Sequence, residues 1–304
     1  MNTTYTSAVY TSEEGARAVE QEYRYYLERW PVPNEQVHVP TREGDTFVVA
    51  CGPADAPPLV LLHGSGANSS SWIGDVGAWS RHFRLYAVDM IGEPGLSAPS
   101  RPPLASGAYE NWLDDVLDGL GLARVSMVGI SLGGWMASRY ASHRPGRVER
   151  MALLCPGGIG RQKYQALLIW LLLRPFGRWG RRVSMRAALG PMEPPSTPEA
   201  RRFADYFMLV SENVKYRQEP LPVLDDAGLR RLTMPMLVLL GGRDGLLDSA
   251  GTQRRLRAAA PHARIDLRPE VGHLIVGRTR QILDFLREDA ATPDPAPEGA
   301  GEAV

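Results

Sequence analysis

Short apolar runs that alternate with longer amphipathic stretches restrict this chain to few folds. The runs lie at 46–51, 58–62, 84–88, 124–130, 148–155, 235–241 and 263–268. Two stretches within them, 59–62 and 236–240, are apolar throughout, which is typical of parallel strands covered on both faces. Between the runs, segment 108–120 repeats apolar residues at the three- and four-residue spacing of an amphipathic helix. The pattern predicts an α/β fold with a mostly parallel, doubly wound sheet flanked by helices.

The alternation stops between residues 157 and 232, where prolines divide helix-like stretches and no strand signal is present. We interpret this region as a helical cap inserted into the core. A helix is predicted from Ser12, a capping residue, to Trp30. The predicted division is therefore an N-terminal helical segment at 1–35, a core at 36–156 and 233–289, the cap at 157–232, and a tail at 290–304. The tail has too few apolar residues to offset its chain entropy, so we expect it to be disordered.

Charge and hydropathy argue against several classes of partner. Lys plus Arg and Asp plus Glu number 34 each, so no net charge draws the whole molecule to nucleic acid, and we expect no such partner. The longest apolar stretch, 166–173, is far shorter than the roughly 20 residues of a membrane span. The polar start has no basic and apolar leader, so we expect a cytoplasmic protein. Cys51 and Cys155 lie in apolar runs, which indicates buried thiols.

A G-x-S-x-G pentapeptide at 129–133 follows one apolar run and precedes a helix-like stretch. In that context the glycines allow a sharp turn that exposes the Ser131 hydroxyl at the carboxyl edge of the sheet. The N–H of Leu132, at the start of the following helix, can then stabilise a developing oxyanion. The motif predicts that Ser131 is a nucleophile and that Leu132 supplies one oxyanion donor.

A serine nucleophile needs a base, and the base needs an acid that orients it. Asp244 directly follows the strand-like run at 235–241, and His273 lies after the run at 263–268. We assign Asp244 as the acid and His273 as the base, because the order Ser, Asp, His is typical of a strand-turn-helix serine site. Asp248 is the rival acid, and Glu270 is a weaker one.

The turn after the run at 58–62 reads His63-Gly64-Ser65-Gly66, and its small residues let the backbone approach a substrate. We assign the second oxyanion donor to the N–H of Ser65, with Gly66 as the competing donor. His63 is expected to hold this loop through hydrogen bonds of its side chain.

These motifs together resemble the α/β-hydrolase fold superfamily, and within it a serine carboxylesterase-like bacterial subgroup. The resemblance is carried by residues 62–66, 89–97 and 129–133 and by the pair Asp244 and His273. It implies a core sheet of about eight strands, a cap over the pocket, and neither cofactor nor metal. Asp89 and Ser97 resemble positions that hold a loop near the nucleophile. Ser131 disfavours the members that use an aspartate nucleophile, such as haloalkane dehalogenases.

The expected function is hydrolysis of carboxylic esters through an acyl-enzyme. The alternatives are a lactonase, a thioesterase or a C–C bond hydrolase with the same triad, or a non-hydrolytic cyclase, lyase or ligand receptor. The substrate is expected to be a small molecule with an apolar portion, because apolar cap residues such as Leu168, Phe176 and Trp179 are candidates to line a pocket. The alternative is that each of these residues packs the cap onto the core. The same apolar cap surface is a candidate homodimer contact.

Overall fold

The described residues, 8–191 and 194–288 of a computed structural model, contain one sheet of eight strands in the order β1-β2-β4-β3-β5-β6-β7-β8. The strands are β1 (Asn34–Thr41), β2 (Gly44–Cys51), β3 (Pro58–Leu62), β4 (Arg84–Val88), β5 (Val125–Ile130), β6 (Val148–Leu154), β7 (Met236–Gly241) and β8 (Arg264–Arg268). Along the sheet from β4 through β3 to β8, every neighbouring pair of strands is parallel, whereas β2 pairs antiparallel with β1 and β4. The predicted mostly parallel sheet of about eight strands is confirmed.

The first strand is the one that the apolar runs do not reveal. β1 is an edge strand, paired on one side only, and along it Val39 is the single fully buried residue. Polar residues such as Glu35 and Gln36 occupy its exposed positions. An edge strand with one solvated face needs few apolar residues, so its sequence carries no continuous run.

Helices cover both faces of the sheet. They are α1 (Glu13–Glu28), α2 (Ile73–Trp79), α3 (Ala108–Gly119), α4 (Leu132–His143), α5 (Gln165–Leu173), α6 (Gly177–Leu189), α7 (Pro198–Asn213), α8 (Asp226–Arg230), α9 (Ser249–Ala259) and α10 (Thr279–Arg287). One buried cluster contains residues of α3, α4, α8 and α9, and the other contains residues of α1, α2, α7 and α10. Successive residues of β3 point alternately into the two clusters, as the continuous apolar run predicts.

The predicted N-terminal helix is present as α1. The Ser12 side chain caps it by accepting a hydrogen bond from the Gly15 N–H, as predicted. On its inner face Tyr26 packs against Phe203 and Tyr206 of α7. This contact joins the N-terminal segment to the predicted cap.

The region predicted to be a cap contains α5, α6, α7 and α8, all between β6 and β7. Its boundaries stay a prediction, and the predicted disordered tail at 290–304 lies outside the described residues. Leu168, Phe176 and Trp179 do not pack the cap onto the core, because all three side chains are more than half exposed, and their place at a pocket stays a prediction. Among the described residues, no helix has the length and the apolar character to cross a bilayer.

A buried carboxylate, Asp89, joins the loops after β3 and β4. It accepts hydrogen bonds from the Tyr23 hydroxyl (2.9 Å), from the N–H and hydroxyl of Ser69 (2.9 and 2.6 Å), and from the Leu96 N–H (2.8 Å). The Ser97 hydroxyl donates to the Asp89 carbonyl and accepts from the Phe47 N–H. Both residues therefore have the loop-holding contacts that the resemblance implies.

Replacing Asp89 with alanine is expected to lower the free energy of unfolding by about 3 kcal/mol, because several buried donors lose their acceptor. Denaturant titration measures this change. The matched control is Asp118→Ala, which removes an exposed carboxylate paired with Arg147 and is expected to change stability by about 1 kcal/mol or less. Equal losses for the two variants would contradict the role assigned to Asp89.

Candidate active site

Three loops at the carboxyl edge of the sheet carry the residues predicted to form the triad. Ser131 directly follows β5, Asp244 follows β7, and His273 follows β8. Because these strands are parallel, their carboxyl ends lie at the same edge. Distant positions in the sequence therefore come together in one site.

Ser131 lies in a strained turn between β5 and α4. Its backbone angles are φ 52° and ψ −106°, a region that non-glycine residues rarely adopt. Its N–H donates to the Leu154 carbonyl, and its carbonyl accepts from the N–H groups of Trp135 and Gly157. A Cβ at Gly133 would overlap the carbonyl of Leu62, so the turn requires glycine there for close approach to β3.

The three side chains form a continuous chain of hydrogen bonds. His273 Nε2 lies 2.9 Å from Ser131 Oγ, and His273 Nδ1 lies 2.7 Å from Asp244 Oδ2. Both His273 and Asp244 are buried. An ionised carboxylate can only accept, so Nδ1 carries the proton and Nε2 faces the serine as an acceptor.

The remaining oxygen of Asp244 is fixed by the backbone. Its Oδ1 accepts from the N–H groups of Leu246 (2.8 Å) and Leu247 (2.9 Å). These bonds hold the carboxylate plane and leave Oδ2 for the imidazole. The arrangement can keep His273 in one tautomer and stabilise the imidazolium that forms when it accepts a proton.

The rival acids have other partners. Asp248 caps α9, with its side chain accepting from the Gly251 N–H at 2.9 Å. Glu270 is exposed and forms an ion pair with Arg243. The geometry therefore favours Asp244 as the acid.

Within 8–191 and 194–288, no acceptor is found for the two amides assigned to the oxyanion site. Leu132 is the first residue of α4, so its N–H has no intrahelical acceptor. The N–H of Ser65 has no hydrogen-bond acceptor among the described residues, whereas the competing Gly66 N–H donates to the buried Glu93 carboxylate at 2.6 Å. The geometry therefore favours Ser65 over Gly66.

His63 is fully buried and neutral. Burial lowers the pKa of its imidazole. Its Nε2 accepts from the Met90 N–H at 2.9 Å, which leaves Nδ1 as the donor to the Gly64 carbonyl at 2.8 Å. The side chain thus holds the loop through its hydrogen bonds, as the sequence predicts.

Cys155 lies next to the triad. Its Sγ and donor atoms of Asp244 and His273 all lie within 4.8 Å of one another, a spacing that a metal ion can bridge. Burial, followed by the charge of Asp244, raises the pKa of the Cys155 thiol, so the thiolate that a metal needs is disfavoured. Cys51 is also a free, buried thiol.

The helical insertion is anchored on the two loops that carry Asp244 and His273. The Leu189 carbonyl at the end of α6 accepts from the His273 N–H at 2.7 Å, and the Ala188 carbonyl accepts from the Gly245 N–H at 3.1 Å. Before α5, the Lys163 ammonium donates to the Asp244 carbonyl at 2.7 Å. Sequence reasoning missed these contacts, because no periodicity marks them.

The chain is similar to known proteins in sequence and in structure. Residues 59–285 match the family described as "Alpha/beta hydrolase family". The "Uncharacterized carboxylesterase nap" of Bacillus subtilis is 31% identical over 272 residues, which cover 87% of this chain and 88% of that protein. The crystal structure of carboxylesterase CesB (YbfK) from Bacillus subtilis matches with a TM-score of 0.77 and 28% identity, over 90% of this chain and 99% of that one. Naproxen esterase from Bacillus subtilis matches with a TM-score of 0.75 and 29% identity, over 89% and 95%.

Substituting each candidate acid by asparagine separates their roles. Asp244→Asn is expected to slow labelling of Ser131 by a fluorophosphonate about 10⁴-fold, because asparagine favours the wrong tautomer of His273. Asp248→Asn is the matched control, and it should label within about twofold of the wild-type rate, since asparagine also caps helices well. Labelling rates at neutral pH measure both. Slow labelling of Asp248→Asn with normal labelling of Asp244→Asn would reverse the assignment.

Proposed function

The chain belongs to the alpha/beta hydrolase family, and on that premise we propose that it is a serine hydrolase that cleaves carboxylic esters through an acyl-enzyme. The observation that carries the proposal is the continuous chain of hydrogen bonds from the buried Asp244 through His273 to Ser131. The carboxylesterases among its relatives support esters as the substrate class. The proposed substrate is a small ester with an apolar portion.

In the acylation half, His273 Nε2 takes the proton of the Ser131 hydroxyl while the oxygen attacks the ester carbonyl. Asp244 stabilises the imidazolium, and the N–H groups of Ser65 and Leu132 stabilise the oxyanion. Collapse of the tetrahedral intermediate transfers the imidazolium proton to the leaving alcohol. The acyl group then remains on Ser131.

In the deacylation half, the neutral His273 takes a proton from a water molecule that attacks the acyl carbonyl. The same two amides stabilise the second oxyanion. When this intermediate collapses, His273 returns its proton to Ser131 and the carboxylic acid leaves. The ester and one water molecule together supply the atoms of the two products, the alcohol and the carboxylic acid.

A series of p-nitrophenyl esters from acetate to dodecanoate tests the proposed function. The wild type is expected to hydrolyse part of the series, and Ser131→Ala to reduce kcat/KM by about 10⁴-fold or more, because the covalent route is lost. The chain length with the highest kcat/KM measures the acyl site. Circular dichroism of the variant serves as the folding control.

Two results would contradict the proposal. Undiminished hydrolysis by folded Ser131→Ala would remove the serine mechanism. A wild type that turns over no ester but cleaves lactones, thioesters or vinylogous diketones would keep the triad chemistry and replace the substrate class.

We propose that Glu93 is a positioning residue for the oxyanion site. Its buried carboxylate accepts from the Gly66 N–H, and the Ser65 hydroxyl lies 3.4 Å from the same oxygen. Burial raises the pKa of Glu93, while the Gly66 N–H and the guanidinium of Arg101 act in the opposite direction. With the Gly66 amide held by Glu93, the Ser65 amide remains for the substrate.

Glu93→Ala is expected to lower kcat by about tenfold to a hundredfold with a smaller change in KM, because a displaced donor weakens binding of the oxyanion most. Glu93→Gln keeps an acceptor for Gly66 and is expected to recover most of kcat. The matched control is Glu110→Ala, which removes a buried carboxylate paired with Arg139 elsewhere in the fold. If Glu110→Ala and Glu93→Ala lower kcat equally, Glu93 acts only through stability.

A further inference from the structure

The exposed apolar surface of this protein is concentrated in one short segment. Nine large apolar side chains are exposed among the described residues, and six of them lie between 164 and 179. They are Tyr164, Leu168, Leu171, Leu172, Phe176 and Trp179. Leu172 is 72% exposed, and Phe176 and Trp179 are 61% exposed. Soluble proteins rarely leave such a group uncovered, which marks it as an interaction surface.

We propose that α5 and α6 present a docking surface for the anionic lipid of a membrane. This docking surface consists of the six exposed apolar side chains together with Arg182 and Arg186. It lies flat on the bilayer and does not span it. The proposal concerns binding of the protein to lipid and stands independently of the proposed hydrolase activity.

The spacing of these residues puts them on continuous helix faces. Leu168, Leu171 and Leu172 are separated by three and four positions, so they share one face of α5. Trp179, Arg182 and Arg186 recur at three and four positions along α6 and share one face there. The rings of Phe176 and Trp179 are in edge-to-face contact, with centroids 5.9 Å apart, at the junction of the two helices.

The charge of this region is of one sign. Residues 157–192 contain seven Arg or Lys and no Asp or Glu, although the whole chain is neutral. The rest of the chain therefore carries seven more acidic than basic residues. Arg182 and Arg186 are exposed and form no ion pair with any residue in 8–191 or 194–288. The charges of Arg182 and Arg186 are thus available to an external partner.

An anionic membrane is the partner that satisfies both properties. Leucine and aromatic side chains can enter the boundary between headgroups and acyl chains, while arginines contact lipid phosphates. A second copy of the chain, docked through the same surface about a two-fold axis, would bring the two positive faces together. Nucleic acid supplies phosphates but offers no apolar layer for the leucines.

The surface lies on helices that are anchored to the catalytic loops. The chain enters α5 just after Lys163, which contacts the Asp244 carbonyl, and it leaves α6 at Leu189, which contacts the His273 N–H. Docking would therefore hold the carboxyl edge of the sheet near the lipid. If the proposed function is correct, esters dissolved in the bilayer are the substrates that this arrangement favours.

Co-sedimentation of the full chain with lipid vesicles tests the docking. Vesicles of equal parts phosphatidylglycerol and phosphatidylcholine are compared with vesicles of phosphatidylcholine alone. Binding to the anionic vesicles is expected to be at least about tenfold tighter and to weaken as salt is added. Ser131→Ala is expected to bind equally well, which separates docking from hydrolysis.

Three variants locate the surface. Arg182→Glu with Arg186→Glu, and separately Leu171→Gln with Leu172→Gln, are each expected to reduce binding at least about tenfold. The matched control is Arg124→Glu with Arg257→Glu, which makes the same charge change at exposed positions outside the docking surface. This control is expected to retain binding within about threefold.

Several outcomes would overturn the proposal. One is that the folded wild type does not bind vesicles, whether sedimentation velocity shows it to be a monomer or a concentration-dependent dimer. A dimer that Leu171→Gln with Leu172→Gln dissociates would identify a second copy as the occupant. Equal loss of binding by the Arg124→Glu, Arg257→Glu control would show attraction that is not specific to this surface.

Discussion

The close approach of α4 to β3 is the constraint on which the proposed site depends. Ser131 has a strained backbone conformation with a positive φ, and Gly133 lets the helix that follows start against the Leu62 carbonyl. The same approach brings the loop after β3, with Ser65, beside the first turn of α4, with Leu132. This approach places the Ser131 hydroxyl and the loop that carries Ser65 beside the start of α4, as the proposed oxyanion site requires. A side chain at position 133 would separate all three, which explains why small residues surround the nucleophile.

Two buried carboxylates, Asp244 and Glu93, orient neighbouring groups of this site in the same way. Asp244 has one oxygen held by two backbone N–H groups and offers the other to His273. Glu93 holds the Gly66 N–H and so determines which amide of the oxyanion loop remains free. In both cases a charge that is costly to bury is stabilised by hydrogen bonds from the backbone, and the geometry of those bonds orients a neighbouring group. Positioning in this fold thus comes from backbone donors held by the loops.

Sequence patterns predicted those parts of the protein whose structure depends on residues that are close together in the chain. The buried strands β3 and β7 need continuous apolar runs, and the turn at Ser131 needs its glycines, so both are visible in the sequence. The apolar runs did not reveal the edge strand β1, because its exposed face tolerates polar residues. The sequence did not identify Glu93 and Cys155 as neighbours of the site, because they come near the triad only through contacts between distant loops. The exposure of Phe176 shows that this residue does not pack the cap onto the core, since an apolar pattern indicates a preference for burial but does not identify what covers the residue.

The α5–α6 pair has two roles, which place different requirements on its sequence. Its ends must hold the loops of Asp244 and His273, and they do so with the backbone carbonyl of Leu189 and the ammonium of Lys163. Those contacts involve few side chains, so the residues on the outer faces of the helices are free to vary. In this chain the outer faces combine exposed leucines with arginines and lack acidic residues. Anchoring needs one backbone carbonyl and one lysine ammonium, so the outer faces can change while the anchors stay, and one catalytic core can meet different surfaces.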